Sequence, residues 1–187
     1  MAEMKRGANV SLTREIPGLT GLVVGVRWNA GSETALADNL TMATILTDAS
    51  GRALSDEHFV FFNQLSSPDL SVSQLKEALG GDKEQVEIDL PDVPAEVDRI
   101  VMVVYLNEGT AQRRTLGQLR ALSVGVRDGR DNRELVRSED LAPALAAETA
   151  LVLGEVYRHG AEWKFKVVGE GYASGIAGIA ADYGLPL

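Results

Sequence analysis

The sequence predicts an all-β-dominated fold, an antiparallel β-sandwich with one or two short helices. At least eight short segments are strand-like, and most of the chain alternates with the period of two that a half-buried strand requires. Turn-forming residues separate these segments and leave little room for the crossover connections that parallel strands need. The length of 187 residues, with 45% hydrophobic and 24% charged residues, is typical of one globular domain spanning 1–187.

The strands follow one another along most of the chain. In the first, TGLVVGVRW at 20–28, alternate residues from Leu22 to Trp28 share one face, while Gly25 and Arg27 lie on the other. A further strand is predicted in ALADNLTMATIL at 35–46, where the polar residues Asp38 and Asn39 are expected to form the turn that starts it. The remaining strands are predicted at 59–62, 85–90, 100–106, 121–128, 134–138, 149–157 and 163–168. Turns rich in Gly, Asp and Ser are predicted at 48–51, 80–82, 128–131 and 159–162.

Helix is predicted in only a few places. Leucines three residues apart in TLGQLRAL, 115–122, indicate a helical turn or two before the next strand. The small residues of 174–184 predict a short C-terminal helix, with Ser174 as a candidate N-cap and Gly184 as a stop signal. The longest polar connection is predicted to include a helical turn at 73–79.

Composition excludes several classes of function. With 18 basic and 27 acidic residues the net charge is −9, which repels nucleic acid unless basic residues cluster, and the longest such cluster is Arg113-Arg114. The chain has no run of about 18 apolar residues to span a bilayer and no secretory signal, so we expect a cytoplasmic protein. The absence of cysteine excludes a disulfide framework, a thiolate metal site and a cysteine nucleophile.

Motifs that suggest an enzyme are weak. The segment GEGYASG at 169–175 has the spacing G-x-G-x-x-x-G and is followed by too little chain for a dinucleotide-binding unit. Ser55, Asp56, Glu57 and His58 contain the residue types of a hydrolytic triad, but capping of a turn explains neighbouring residues better. We therefore predict no catalytic residue, no cofactor-binding residue and no enzyme activity.

Several longer stretches carry a family resemblance. LSDEHFVFFNQLSSPD at 54–69, PAEVDRIVMVVYL at 94–106 and above all GEVYRHGAEWKFKVVGEGYASGIAGIAADYG at 154–184 closely resemble the TerD family, the bacterial tellurite-resistance and stress-response domain. The resemblance begins at ANVSLTREIPGLTGLVVGVRW, 8–28, and runs nearly end to end. It implies a β-sandwich and, typically, calcium binding through acidic loops at one end of the sandwich.

The acidic loops depart from the family pattern. The family places D-x-D-x-D before the strand that 35–46 supplies, and the resemblance puts Ala37, Asn39 and Thr41 at those three positions. Calcium takes about six to eight oxygen ligands, several of them carboxylates, and Ala37 supplies none. The second acidic loop is reduced and gains Lys76 and Lys83, whose charge opposes a cation. The residual calcium-site candidates are Asp38, Asn39, Asn63, Asp82 and Glu84.

Three functions follow as alternatives. The first is a non-enzymatic stress-response module that contacts other proteins, possesses a largely lost calcium site and needs no cofactor. The second is a calcium-binding stress sensor that uses the five candidates together with backbone carbonyls. The third is a self-assembling structural protein that uses a strand edge or the small residues at 176–181. Partners are expected to be other stress-response proteins or a second copy of the chain, and the resemblance also suggests a membrane-associated complex.

Overall fold

Strands account for most of the regular structure. The structure is a computed structural model and describes residues 2–107 and 114–186. Its strands are β1 (Ala2–Met4), β2 (Asn9–Ser11), β3 (Gly21–Asn29), β4 (Leu40–Thr47), β5 (Phe59–Val60), β6 (Val72–Gln74), β7 (Glu84–Asp89), β8 (Arg99–Leu106), β9 (Ala121–Asp128), β10 (Glu134–Ser138), β11 (Ala150–His159) and β12 (Glu162–Tyr172). The helices are α1 (Leu12–Glu15), α2 (Thr34–Asp38) and α3 (Gly175–Tyr183), and short 3-10 turns occur at Asp56–His58, Leu90–Asp92, Leu116–Gln118 and Ala142–Ala144.

The strands form two six-stranded sheets. The first sheet has the order β1-β10-β9-β3-β7-β6, and the second has the order β2-β12-β11-β8-β4-β5. The pairings between these strands are antiparallel except that of β1 with β10, which is parallel. The predicted all-β sandwich is confirmed. The parallel pair is an addition, made possible because a long stretch of chain separates β1 from β10.

The main core lies between the two sheets. Leu22, Val24 and Val26 of β3 have no exposed surface, as their alternation predicts, and they pack with Ile100 and Met102 of β8. Full burial of one such side chain contributes about 1.5–3 kcal/mol to folding. Because successive side chains of a strand point to opposite faces, the residues that alternate with these in β3 project away from the core.

A second, smaller core lies on the outer side of the second sheet, under α3. Ile179 and Ala180 of α3 are buried there against Val101 and Val103 of β8. The helix ends at Gly184, whose φ of 73° is the left-handed conformation that glycine adopts most easily. Half of the small-residue surface at 176–181 thus packs on the sheet of the same chain. The C-terminal helix is confirmed, although Ser174 makes no capping hydrogen bond at the N-cap position.

Four local predictions need correction. The helical turn predicted at 73–79 is wrong, because this segment begins with β6, which pairs with β7 and buries its apolar side chain. The strand predicted at 59–62 covers only Phe59–Val60, since the next residues form a tight turn. The helix predicted at 115–122 is one 3-10 turn, Leu116–Gln118, before β9. The polar residues at the start of 35–46 close α2 rather than forming a simple turn into the strand.

In the described part of the chain, no helix combines the length and the apolar character needed to cross a bilayer.

Candidate functional site

A cluster of three arginines lies on the outer face of the first sheet. Arg27 of β3, Arg127 of β9 and Arg137 of β10 occupy outward positions on three adjacent strands. All three surround the carboxylate of Asp82, which comes from the loop before β7. The nitrogen-to-oxygen distances from Asp82 are 3.2 Å to Arg27, 3.5 Å to Arg127 and 3.1 Å to Arg137.

Two glycines make room for this cluster. Gly25 of β3 and Gly125 of β9 lie opposite each other in the sheet. A Cβ atom on Gly25 would clash with Oδ2 of Asp82, and one on Gly125 would lie 2.6 Å from Nη2 of Arg137. The bare backbone at this pair lets the carboxylate and the guanidinium groups approach the sheet. These glycines therefore serve close packing against the outer face rather than a turn.

The carboxylate of Asp82 is almost fully enclosed. Its side chain is 1% exposed, compared with 10% for Arg127 and 15% for Arg137. Gln85 is the fourth side chain that donates to this carboxylate, with its Nε2 atom 2.8 Å from Oδ2. Arg27 and Arg127 also donate to the carbonyl oxygen of Gly80, which ties the loop to the strands. Charge-assisted hydrogen bonds of this kind are about twice as strong as neutral ones, so the cluster fastens the loop over the sheet.

Glu84 is the first residue of β7, directly after this loop, and it faces β4 rather than the arginines. Its Oε2 accepts a hydrogen bond from the backbone N–H of Met42 at 3.1 Å, and its Oε1 accepts one from Nε2 of Gln74 at 3.0 Å. Burial raises the pKa of the Glu84 carboxyl from 4.5 to about 7, although the bond from Met42 opposes this shift. The Oε1 atom of Gln74 is buried without a hydrogen-bond partner in the described part of the chain. A protonated Glu84 could supply a donor to Gln74 after an amide flip.

The other three candidates are dispersed. Asp38 is exposed at the end of α2. The side chain of Asn39 donates to the carbonyl oxygen of Ala35 at 2.7 Å, so its amide closes the helix. Asn63 is exposed in the turn between Phe61 and Gln64, whose backbone groups bond to each other.

This arrangement does not fit a calcium ligand set. Asp82 is occupied by arginines and Gln85, and Glu84 faces a different group of residues. Among the described residues, no group of three or more His, Asp or Glu side chains is placed to hold a metal ion. Calcium needs six to eight oxygen ligands, and several carboxylates must converge to replace its hydration shell. As the side chains stand, the five candidates do not converge.

The motifs considered for catalysis have structural explanations. Ser55 caps the 3-10 turn Asp56–His58, because its Oγ accepts from the backbone N–H of Glu57 at 3.2 Å, and it also lies 2.7 Å from Nδ1 of His58. The segment 169–175 lies mainly in β12, which pairs with β11 across a bulge. His159 ends β11 beside Gly160, whose φ of 62° forms the hairpin turn.

A cavity of about 600 Å³ opens at the end of the sandwich beside the arginine cluster. Arg27 and Lys83 line it together with Asn29, Ser123 and Asp140, and Ala37 and Ala121 add apolar surface. Its volume is within the range of small-molecule sites in proteins. The cavity borders the loop before β7 and the connection after β3, which are the segments where the family resemblance implies calcium loops.

Fold and site define an all-β sandwich protein whose acidic loop is held by internal arginines, and comparison with known proteins gives its family. The TerD domain model matches residues 1–183. General stress protein 16U of Bacillus subtilis is 38% identical over 187 residues, covering 97% of this chain and 96% of the relative. The tellurium resistance protein TerD of Serratia marcescens is 36% identical over 186 residues, covering 97% of this chain and 96% of the relative.

Solved structures show the same fold at lower identity. A homologue of telluride resistance protein TerD from Streptomyces coelicolor superposes with a TM-score of 0.66 at 20% identity, covering 87% of this chain and 96% of the other. A protein of unknown function superposes with a TM-score of 0.68 at 21% identity, covering 91% and 99% of the two chains. The chain belongs to the TerD family, whose tellurite-resistance and stress proteins support a stress-response role for it.

Reasoning from the sequence missed the arginine cluster. Arg27 and Gly25 were correctly placed on the outer face of β3. The missing information was the neighbouring order of β3, β9 and β10, which brings Arg127 and Arg137 beside Arg27. A useful signal was available nonetheless, because an outward Arg recurs near a strand Gly in GVRW and again in GVRD.

Proposed function

We propose that this protein is a non-enzymatic stress-response module that acts through contacts with other proteins and does not require calcium. The observation that carries the proposal is the neutralisation of Asp82 by three arginines of the same chain. Asp82 is the carboxylate of the second acidic loop that the family resemblance would assign to the ion. A cytoplasmic location, expected from the sequence, is part of the same proposal.

The three arginines neutralise the buried carboxylate of Asp82, as a bound cation would otherwise do. A carboxylate removed from water is costly unless charge partners and hydrogen bonds surround it. Asp82 has both in the present arrangement, with guanidinium nitrogens at 3.1 and 3.2 Å and the amide of Gln85 at 2.8 Å. A calcium ion would have to displace these donors and would then lie beside their positive charge. This repulsion supports calcium independence.

Exposed apolar side chains support a role in protein contacts. Four large hydrophobic residues between β5 and β7 are exposed, namely Phe62 by 52%, Leu65 by 40%, Leu70 by 72% and Leu79 by 60%. Single exposed apolar residues are ordinary, but three of these four lie in the connection between β5 and β6 and Leu79 lies in the loop that follows β6, so together they form a candidate contact region. The connection joins β5 and β6, the edge strands of the two sheets, where an additional chain can associate.

Calorimetric titration of chelator-treated protein with calcium tests the proposal. We expect no saturable heat up to about 1 mM calcium, and a melting temperature that calcium leaves unchanged, because a sensor site would bind at about 10 µM or below. Asp38→Asn serves as a matched control, since this exposed carboxylate is another calcium candidate and its loss should change nothing. Saturable binding that Asp38→Asn weakens would refute calcium independence and favour the sensor.

Sedimentation over a hundredfold range of concentration separates the partner classes. A monomer throughout is expected, because Ile179 and Ala180 of α3 are already buried against the sheet of the same chain. Concentration-dependent association abolished by Leu70→Ser would instead favour self-assembly through the exposed connection.

A further inference from the structure

The cavity at the end of the sandwich is basic, in contrast with the protein as a whole. Its lining contains the cations Arg27 and Lys83 against one carboxylate, Asp140. The guanidinium of Arg120 lies over Gly31, another lining residue, since a Cβ atom there would be 2.6 Å from its Nε. The whole sequence carries a net charge of −9. Positive charge concentrated in a concave site of an acidic protein attracts anions locally.

The single carboxylate of the lining is already engaged by backbone donors. Oδ1 of Asp140 accepts from the N–H of Leu122 and from that of Ala142, both at 3.0 Å. Its charge is therefore partly compensated before any ligand enters. Of the two cations, Lys83 is the less engaged, since its side chain makes no hydrogen bond or ion pair in the described part of the chain. Arg27 is paired with Asp82, but its side chain is still 38% exposed.

Polar and apolar walls complete a ligand-sized space. Hydroxyl and amide groups of Ser123 and Asn29 border the cavity near the cations, while the half-buried Ala37 and Ala121 form its apolar side. A volume of about 600 Å³ exceeds what a bare inorganic anion needs. Several separate cations suit a phosphate group, whose charge is −1.5 to −2 and which offers three acceptor oxygens. A carboxylate carries a single charge and offers two acceptor oxygens, so it matches two cations less well.

We propose that this cavity binds a small phosphorylated ligand, with the phosphate group between Arg27 and Lys83 and an uncharged organic body against Ala37 and Ala121. The site lies where the family resemblance implies acidic residues that bind calcium. In this chain the same region presents positively charged side chains to the solvent instead. The proposal does not depend on the stress-response role or on any protein partner.

Lys83 is the residue to change, because Arg27 also holds Asp82 and its loss would disturb the loop. Lys83→Ala removes one cation from the cavity at an exposed position. Lys76→Ala is the matched control, since Lys76 is an exposed lysine of the same loop that does not line this cavity. Urea unfolding of both variants establishes that they fold as the parent protein does.

The probes are inorganic phosphate, phenyl phosphate and phenol, titrated in chelator at an ionic strength of about 0.15 M while backbone amide resonances are followed by NMR. We expect saturable shifts at Asn29, Lys83 and Ser123. Phenyl phosphate should bind more tightly than inorganic phosphate, and phenol should not bind. Lys83→Ala should weaken phenyl phosphate at least about tenfold, roughly 1.4 kcal/mol, while Lys76→Ala leaves it unchanged.

Other outcomes overturn the proposal. Shifts that remain linear, or that spread over surface lysines in general, would show only screening of charge. Equal binding of phenol and phenyl phosphate would make the cavity an apolar site rather than an anion site. Equal effects of Lys83→Ala and Lys76→Ala on the affinity for phenyl phosphate would show that the phosphate group does not bind in the cavity. Because chelator is present throughout, failure here is independent of the calcium titration.

Discussion

Removing the charge of Asp82 while keeping its shape, with Asp82→Asn, should be strongly destabilising. The carboxylate is 1% exposed and accepts hydrogen bonds from Arg27, Arg137 and Gln85 at 3.2, 3.1 and 2.8 Å. The neutral amide would leave three guanidinium groups clustered without their central counter-charge. Breaking a buried ion pair by removal of one partner costs about 3–5 kcal/mol. Arg27 can turn toward solvent, since its side chain is 38% exposed, so we expect about 3 kcal/mol, the lower end of this range.

The assay is equilibrium unfolding in urea at neutral pH, with Asp38→Asn as the control. Asp38 is exposed, so its variant should remain within about 0.5 kcal/mol of the parent. High salt should reduce the loss of unfolding free energy caused by Asp82→Asn only slightly, because the ion pairs of Asp82 are enclosed and salt screens them poorly. A loss below about 1 kcal/mol for Asp82→Asn, similar to that for Asp38→Asn, would refute the view that the arginine cluster stabilises the loop.

Three further predictions concern the surroundings of the cluster. Gly25→Ala should destabilise by about 1–3 kcal/mol because its Cβ atom would clash with Asp82, whereas Gly21→Ala in the same strand meets no atom closer than 3.9 Å and should cost little in urea unfolding. The raised pKa of Glu84 means that the native protein binds an extra proton between pH 4.5 and about 7, so this carboxyl should lower stability as pH rises through that window. Glu84→Gln should therefore raise the free energy of unfolding by roughly 1–3 kcal/mol at pH 8 and change it little at pH 4, and the partial exposure of the side chain favours the lower figure. A difference between variant and parent that does not depend on pH would contradict this prediction. Gly184→Ala should cost about 1 kcal/mol because its φ of 73° is unfavourable for alanine, and thermal melting would detect the loss.

Much of the fold follows from residue periodicity. In β3 and β9 apolar residues alternate with Gly, Ser or Arg, and that pattern is visible in the sequence. β8 is buried on both faces, so it is visible instead as a continuous apolar run. The short edge strands were harder to predict. β1, β2 and β6 have three residues each, which is too short for a clear period of two, and their pairing partners lie far along the chain.

The site could be predicted only in part. Sequence reasoning selected Asp82 and Glu84, but their neighbours are decided by the order of the strands and by the path of the loop. Arg127 and Arg137 are 45 and 55 positions from Asp82, and no local pattern links them to it. The raised pKa of Glu84 likewise depends on its burial beside Met42, which is a tertiary property.

Exchanging a bound ion for arginines changes how the loop responds to its surroundings. A domain stabilised by a dissociable ligand gains RT ln(1 + [L]/Kd), so its loop stability follows the ligand concentration. The guanidinium groups of Arg27, Arg127 and Arg137 are part of the chain, and their stabilisation of the loop is constant at any calcium concentration. We therefore expect such a loop not to report calcium by ordering on binding, because it is already held against the sheet through Asp82 and Gly80. Under the proposed function, regulation would act instead through the exposed connection or the basic cavity.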